Sequence, residues 1–183
     1  MSPSLLAALV LLLTAPGTSR EVSGVEVPGT FTAGGQELKL NGAGLRRKFI
    51  VNVYVGALYL AELSHDAEAV VAVEAPKAVR MAFLRDVTRS QMMGAFREGF
   101  ENNTKEGLSD LLAKLSAVEG SLPNLKRGEV LVVRYEPGQG STIGVEGQPS
   151  VTVPGKDFAD ALFRCWLGPR PADDSLKKAM LGG

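Results

Sequence analysis

The sequence predicts an α+β domain built on an antiparallel sheet that carries helices on one face. Short runs of β-branched and aromatic residues come first, then two segments with apolar residues at helical spacing, then more strands and a closing helix. This order differs from the regular strand–helix alternation of a parallel sheet. The segment 49–60 is apolar at nearly every position, so we expect a strand that is covered on both faces.

Strands dominate the first half of the predicted domain. Pro-Gly and Gly-Gly pairs mark the turns between the first of them. The expected strands are Val25–Val27, Glu37–Leu40, Phe49–Leu60, Val70–Val73 and Val79–Leu84. Inside the long apolar strand, Gly56 indicates a bulge or a close approach of another backbone.

Helical periodicity begins with Met92, Met93, Phe96 and Phe100, which recur at three- and four-residue spacing behind the capping candidates Thr88 and Ser90. The remaining expected elements are a helix around 108–115 that ends near Gly120, a strand from Gly128 to Val133, a Gly-rich hairpin over 137–149, a strand at Ser150–Val153, a helix at Lys156–Leu167 and a short helix at Ala172–Met180.

Residues 1–19 have the pattern of a secretory signal peptide. Leu5–Leu13 is an unbroken apolar run, shorter than the roughly 20 residues that span a bilayer, and small residues follow it up to Ser19. We expect cleavage after Ser19, which leaves a domain of residues 20–183 in the periplasm or secreted. An uncleaved anchor is the alternative, because no Lys or Arg precedes the apolar run.

Composition excludes several classes of function. Lys plus Arg and Asp plus Glu both number 20, so no basic excess favours nucleic acid as a partner. With a single Cys and a single His, no metal-ligand spacing exists, and we expect neither a metal nor a cofactor. The mature chain shows no apolar stretch long enough to span a membrane. Nothing in the sequence addresses the oligomeric state.

The segment 40–46, Leu-Asn-Gly-Ala-Gly-Leu-Arg, and the strand after it resemble the chalcone isomerase family. There a similar Gly-Ala-Gly-x-Arg turn precedes a strand ending in Gly-x-x-Tyr-Leu, matched here by 56–60. The resemblance continues at Ser90-Gln91 and Leu167-Gly168 and covers residues 24–182. It implies an open-faced β-sandwich, a large antiparallel sheet with a helical layer and a ligand cleft between them, of the exported bacterial type.

The resemblance also implies that isomerisation is lost. The plant isomerases surround the reacting atoms with an Arg, a Thr, a Tyr, an Asn and a Ser or Thr. Only the Arg is matched, by Arg46, and the other four positions fall on Val53, Met92, Gly99 and Cys165. Proton transfer needs donors and acceptors within hydrogen-bond reach, which such side chains do not supply. We therefore expect no chalcone isomerase activity and no catalytic residues of that pattern.

Non-catalytic plant members of the family bind fatty acids through the corresponding Arg, so the resemblance implies a ligand role for Arg46. Its guanidinium can hold a carboxylate with two hydrogen bonds, or instead pair with a neighbouring Glu or Asp. The expected ligand-binding residues are Arg46, Val53, Met92, Phe96, Cys165 and Trp166. The alternative for the apolar members is ordinary core packing, and Cys165 is expected to be a buried, unreactive thiol.

Three functions remain open from the sequence. The first is a module that binds a small amphipathic molecule such as a fatty acid in the cleft, with Arg46 at its polar head. The second is an enzyme whose site differs from the plant pattern. The third is a structural or partner-binding protein whose cleft is filled by Met92, Phe96 and Trp166.

Overall fold

The computed structural model describes residues 17–183 and confirms an antiparallel α+β fold. Its strands are β1 (Arg20–Val22), β2 (Val25–Val27), β3 (Thr30–Ala33), β4 (Gln36–Lys48), β5 (Val51–Leu60), β6 (Lys77–Phe83), β7 (Val130–Glu136), β8 (Gly140–Val145) and β9 (Ser150–Val153). Its helices are α1 (Ala67–Ala72), α2 (Arg89–Asn103), α3 (Leu108–Glu119), α4 (Lys156–Leu167) and α5 (Asp174–Met180). The expected leader run Leu5–Leu13 lies outside the described residues. Within 17–183, no helix combines the length and the apolar character that a membrane span requires.

Strands β3 to β9 form one seven-stranded sheet in which each strand pairs antiparallel with the next one along the chain. Strands β1 and β2 form a separate hairpin. Helices α2 and α3 are inserted between β6 and β7, and α4 and α5 follow β9. Thr88 begins α2 with a capping box, in which its side chain accepts from Gln91 N while the Gln91 side chain accepts from Thr88 N.

The central strand β5 is buried on both faces from Tyr54 onward, as the sequence predicts. Tyr54 and Leu58 belong to the main core, which the helices cover. Val55 and Tyr59 point the other way, into a smaller apolar cluster against which the β1–β2 hairpin packs. Tyr59 there donates a hydrogen bond to Pro28 O at 2.8 Å. Both faces of this strand are therefore covered, although by different layers.

The prediction of one strand over 49–60 is wrong at its start. Lys48 pairs with Val51, so Phe49 and Ile50 form a two-residue turn between β4 and β5 and are exposed to solvent. The Gly-Ala-Gly segment at 42–44 is also not a turn, because it lies inside β4 and pairs with β5 along its length. Sequence periodicity does not show whether the chain reverses at the glycines of 42–44 or at the apolar pair Phe49-Ile50.

The prediction of a strand at Val70–Val73 is wrong as well, because residues 67–72 form α1. Asp66 caps this helix and accepts hydrogen bonds from the backbone N–H groups of residues 68 and 69. At its other end, the buried Lys77 ammonium donates to the carbonyl oxygens of Val70, Val71 and Val73. These two polar ends stabilise the helix although it includes Val70 and Val71, whose β-branched side chains favour strands.

Helix α5 rests on a platform of three glycines, Gly42, Gly44 and Gly56, from the adjacent strands β4 and β5. A side chain at position 42 would overlap Ala179 O, and one at position 44 would lie 2.6 Å from Ala179 Cβ. No strand bulge occurs at Gly56, but a Cβ there would lie 2.7 Å from Met180 Cε. The close approach expected at Gly56 is thus present and is made by a helix.

The Gly42→Ala variant tests this platform. We expect it to lower the free energy of unfolding by about 1–3 kcal/mol, because the added methyl must push α5 off the sheet. The matched control is Gly94→Ala on α2, where nothing lies within 4 Å of an added Cβ. Removing a helical glycine there should stabilise the protein by about 0.5–1 kcal/mol. Equal urea midpoints for the two variants would contradict the role given to the platform.

Candidate binding cleft

A cleft of about 270 Å³ lies between strands β4 to β6 and helices α2 and α4. Its apolar wall includes Met81 and Phe83 from β6 in addition to residues that the sequence singles out. It opens at the end of the sheet where the chain turns from β4 to β5, because Lys48, Phe49 and Val51 belong to its lining. The volume is near the lower end of the range for small-molecule sites.

The structure brings together all six residues that the sequence identifies as ligand-binding candidates. The side chains come from four elements and line the one cleft: Arg46 from β4, Val53 from β5, Met92 and Phe96 from α2, and Cys165 and Trp166 from α4. Gly99 does not line the cleft. It faces Cys165 where α2 crosses α4, and a Cβ at position 99 would lie 2.5 Å from the Cys165 Sγ.

A β-bulge turns two consecutive residues of β5 toward the cleft. Arg46 pairs with Tyr54 and Arg47 pairs with Asn52, which leaves Val53 as an extra residue without a partner in β4. Val53 and Tyr54 therefore both line the cleft, although neighbours on a regular strand point to opposite faces. The sequence offers Gly56 as the site of a bulge or a close approach, and nothing in its pattern singles out Val53 as the bulge or Tyr54 as a cleft residue.

Tyr54 connects the sheet to the helical layer. The buried Trp166 indole donates from Nε1 to the Tyr54 hydroxyl oxygen at 2.9 Å. The Phe96 ring meets the indole edge-on, with 6.0 Å between ring centroids. Burial raises the pKa of Tyr54 to about 12, and the nearby Arg46 charge opposes that rise. Trp166 is thus held in place as one wall of the cleft.

Arg46 is half-buried at the cleft and has no carboxylate partner in the described part of the chain. Its guanidinium carbon lies 5.7 Å from the centre of the Tyr54 ring, in cation–π contact. None of the ion pairs within 17–183 includes Arg46, so the expected alternative of a Glu or Asp partner is not found there. The neighbouring Arg47 is exposed, as strand alternation predicts.

Cys165 has the surroundings of an unreactive thiol. It is buried, and its Sγ lies 3.7 Å from Ala161 O and 3.9 Å from Phe96 O. Burial raises the pKa of the thiol far above its ordinary value, so the nucleophilic thiolate is suppressed. His65 is exposed and contacts Leu181 O, outside the lining of the cleft. Among residues 17–183, no group of three or more His, Cys, Asp and Glu could hold a metal.

The rim of the cleft carries charged groups of both signs. Lys48 and Arg85 contribute cations, and Asp86 contributes an anion. Asp86 is already engaged, because it accepts from Arg127 N at 2.9 Å and from Lys126 Nζ at 3.0 Å. The backbone hydrogen bond from Arg127, followed by the Lys126 bond, holds the pKa of Asp86 below its usual value. The cations at the rim and Arg46 thus remain available to an anionic ligand.

Comparison with known proteins gives a family and a fold. A family model described as chalcone isomerase-like matches residues 19–182. Among solved structures, the chain is similar to an Arabidopsis thaliana fatty-acid binding protein, AtFAP1, at 14% sequence identity and a TM-score of 0.67. The alignment covers 87% of this chain and 92% of that one. No curated protein matches the sequence. At this identity the structural similarity establishes the fold.

Replacing Tyr54 with Phe tests the hydrogen bond between the Trp166 indole and the Tyr54 hydroxyl at the wall of the cleft. The variant keeps the ring but removes the acceptor of a buried indole N–H, so we expect a loss of about 1–3 kcal/mol in unfolding free energy. Trp166 is the only tryptophan, so its fluorescence maximum should shift without interference. The matched control, Tyr59→Phe on the opposite face, should leave the emission unchanged. An unchanged spectrum in Tyr54→Phe would contradict the assigned contact.

The same variant has an expected effect on alkaline stability. Because the pKa of Tyr54 is raised from 10.0 to about 12 in the fold, the unfolded chain releases this proton first. The contribution of the protonated Tyr54 to the free energy of unfolding is fully present below pH 10.0 and is lost as the pH rises to about 12. Between these values, unfolding free energy should fall less steeply in Tyr54→Phe than in the wild type. Parallel curves would contradict the raised pKa.

Proposed function

The chain belongs to the chalcone isomerase-like family, and from this premise we propose that it binds a small amphipathic carboxylic acid, with a fatty acid as the leading candidate, without catalysing isomerisation. The apolar part of the ligand lies between the sheet and helices α2 and α4, and its carboxylate lies at Arg46. The observation that carries this proposal is the half-buried Arg46 guanidinium, which borders an apolar cleft and has no acidic partner within 17–183.

Arg46 has the chemistry that a carboxylate requires. A guanidinium donates two parallel hydrogen bonds to a carboxylate and stays charged at all physiological pH values. Its cation–π contact with Tyr54 orients the group without using its N–H donors. The adjacent cations Lys48 and Arg85 add to the positive potential at the rim. An anionic head group is therefore favoured over a neutral one.

The walls of the cleft supply most of the binding free energy in this proposal. Val53, Met92, Phe96 and Trp166 present carbon and aromatic surface, and burial of apolar ligand surface contributes roughly 25 cal/mol per Å². Methionine adapts to flexible chains because its side chain is unbranched. The cleft is open between these residues, which argues against the alternative of a cleft filled by Met92, Phe96 and Trp166.

The fold comparison supports the class of ligand. AtFAP1, which shares the fold, is itself a fatty-acid binding protein. At three cleft positions where the plant isomerases carry hydroxyl groups, this chain has Val53, Met92 and Cys165, which contribute no hydroxyl, and burial keeps the Cys165 thiol protonated. Formation of a flavanone from a chalcone above the uncatalysed rate would contradict the non-catalytic part of the proposal.

We also propose that the protein acts after export, with an N-terminus at Arg20. The apolar run at 5–13 and the small residues up to Ser19 support this proposal. Strand β1 begins at Arg20, so removal of residues 1–19 leaves every described element intact.

The Arg46→Met variant tests the carboxylate site. Calorimetric titration with dodecanoic acid should give a Kd raised about 10- to 100-fold, because a charge-assisted hydrogen bond is worth about 1.5–3 kcal/mol. The Kd for dodecanol, which has the same chain and no charge, should change less than about twofold. The matched control is the exposed neighbour Arg47→Met, which should bind both ligands as the wild type does. An unchanged acid Kd in Arg46→Met would overturn the proposal.

A further inference from the structure

The turn between β4 and β5 exposes two large apolar side chains, Phe49 and Ile50, here called the apolar tip. Phe49 is 92% exposed and Ile50 is 96% exposed. By comparison, the other large apolar residues on the surface of the described chain are less exposed, with Leu63 at 59% and Val73 at 47%. A Phe and an Ile side by side in water stabilise nothing within the monomer. Paired exposure of this kind marks an interaction site.

Backbone conformation does not account for the Phe either. Because Lys48 pairs with Val51, the turn has only two residues, and the first of them takes φ 56°. Glycine or asparagine adopts this left-handed conformation readily, whereas a bulky residue is disfavoured there. Phe49 therefore occupies a position that is unfavourable both for its side chain and for its backbone. No packing contact within the described chain offsets this cost, since Phe49 is 92% exposed.

Cations surround the apolar tip, in a group here called the basic collar: Arg46, Arg47, Lys48 and Arg85. Three of them directly precede the tip in sequence. Arg85 lies at the same end of the sheet, because Leu84 N donates to Val53 O at 3.0 Å. Of the two nearby carboxylates, Asp86 is paired with Lys126, whereas Asp173 accepts from the backbone N–H of Arg47 and keeps its charge. The four cations of the collar therefore leave an excess of positive charge beside the apolar tip.

We propose that the apolar tip inserts into the surface of an anionic phospholipid bilayer, with the basic collar against the head groups. Aromatic and aliphatic side chains partition into the interfacial region, and Lys and Arg gain from negative lipid charge. Charge complementarity favours this occupant over a second copy of the chain, since a symmetric contact would oppose two basic collars. Docking in this way requires no ligand in the cleft.

Docking places the mouth of the cleft at the lipid surface. Lys48 and Phe49 belong both to the docking surface and to the lining of the cleft. A poorly soluble ligand then passes between bilayer and cleft without crossing water. This second step rests on the proposed function, because it requires that the cleft bind an amphipathic molecule.

The experiment is cosedimentation of the purified mature protein with vesicles of phosphatidylcholine mixed with phosphatidylglycerol, and with pure phosphatidylcholine vesicles. The test variant is Ile50→Asp, since Ile50 does not line the cleft, and the matched control is Leu63→Asp. We expect Ile50→Asp to reduce partitioning to mixed vesicles at least about tenfold and Leu63→Asp to change it less than about twofold. Arg47→Gln should lower it about fivefold, with no such loss on pure phosphatidylcholine.

Three results would overturn docking. They are absence of wild-type binding to mixed vesicles, equal binding by Ile50→Asp, and Ile50-dependent self-association in sedimentation velocity without vesicle binding. Titration of Ile50→Asp with dodecanoic acid in vesicle-free buffer separates this proposal from the proposed function. If Ile50→Asp binds dodecanoic acid with the wild-type Kd but no longer binds vesicles, docking is supported. If the wild type binds vesicles as expected but does not bind dodecanoic acid, only the proposed ligand is refuted.

Discussion

The hydrogen bond from the Trp166 indole to the Tyr54 hydroxyl joins the two layers of the fold at the point where the cleft forms. A buried indole N–H needs an acceptor, and in this structure the acceptor comes from the sheet. Tyr54 faces this layer in regular alternation with Leu58, and the bulge next to it brings Val53 to the same cleft. Tyr54 is also the cross-strand partner of Arg46, so the same residue fixes the apolar wall and positions the cation beside it.

Tight packing elsewhere keeps this cleft open. The C-terminal half of α2 packs closely on α4, through the Gly99–Cys165 contact and the edge-on rings of Phe100 and Phe158, whose centroids are 5.6 Å apart. The N-terminal half of the same helix, with Met92 and Phe96, lines the cleft instead. The C-terminal half of α2 thus packs in the core, and its N-terminal half lines the cleft. A small residue at 99 is what allows the first part to pack so closely.

Periodicity and order in the sequence predict the α+β architecture and most element positions, and the resemblance to the chalcone isomerase family implies the six residues that share the cleft. Apolar helical spacing identifies α2 and α4 because both helices bury one face. What the sequence does not reveal depends on pairing between distant segments. The register of β4 against β5 decides where the bulges fall, and with them the roles of Tyr54 and Phe49. Helix α1 differs from the predicted strand because its Asp66 cap and the buried Lys77, a few residues beyond its end, outweigh the β propensity of its valines.

The seating of α5 on the glycine platform has a consequence for the order of events during biosynthesis. Asn41 donates to Met180 O at 2.8 Å across a separation of 139 residues, and Gly42 and Gly44 contact the same helix. The glycine surface of β4 and β5 is therefore left uncovered until α5, which lies far along the sequence, has been synthesised. Contacts of such long range also slow folding. The sheet is thus completed late in synthesis by an element remote in sequence from the strands it covers, and loss of α5 would expose the glycine surface of the sheet.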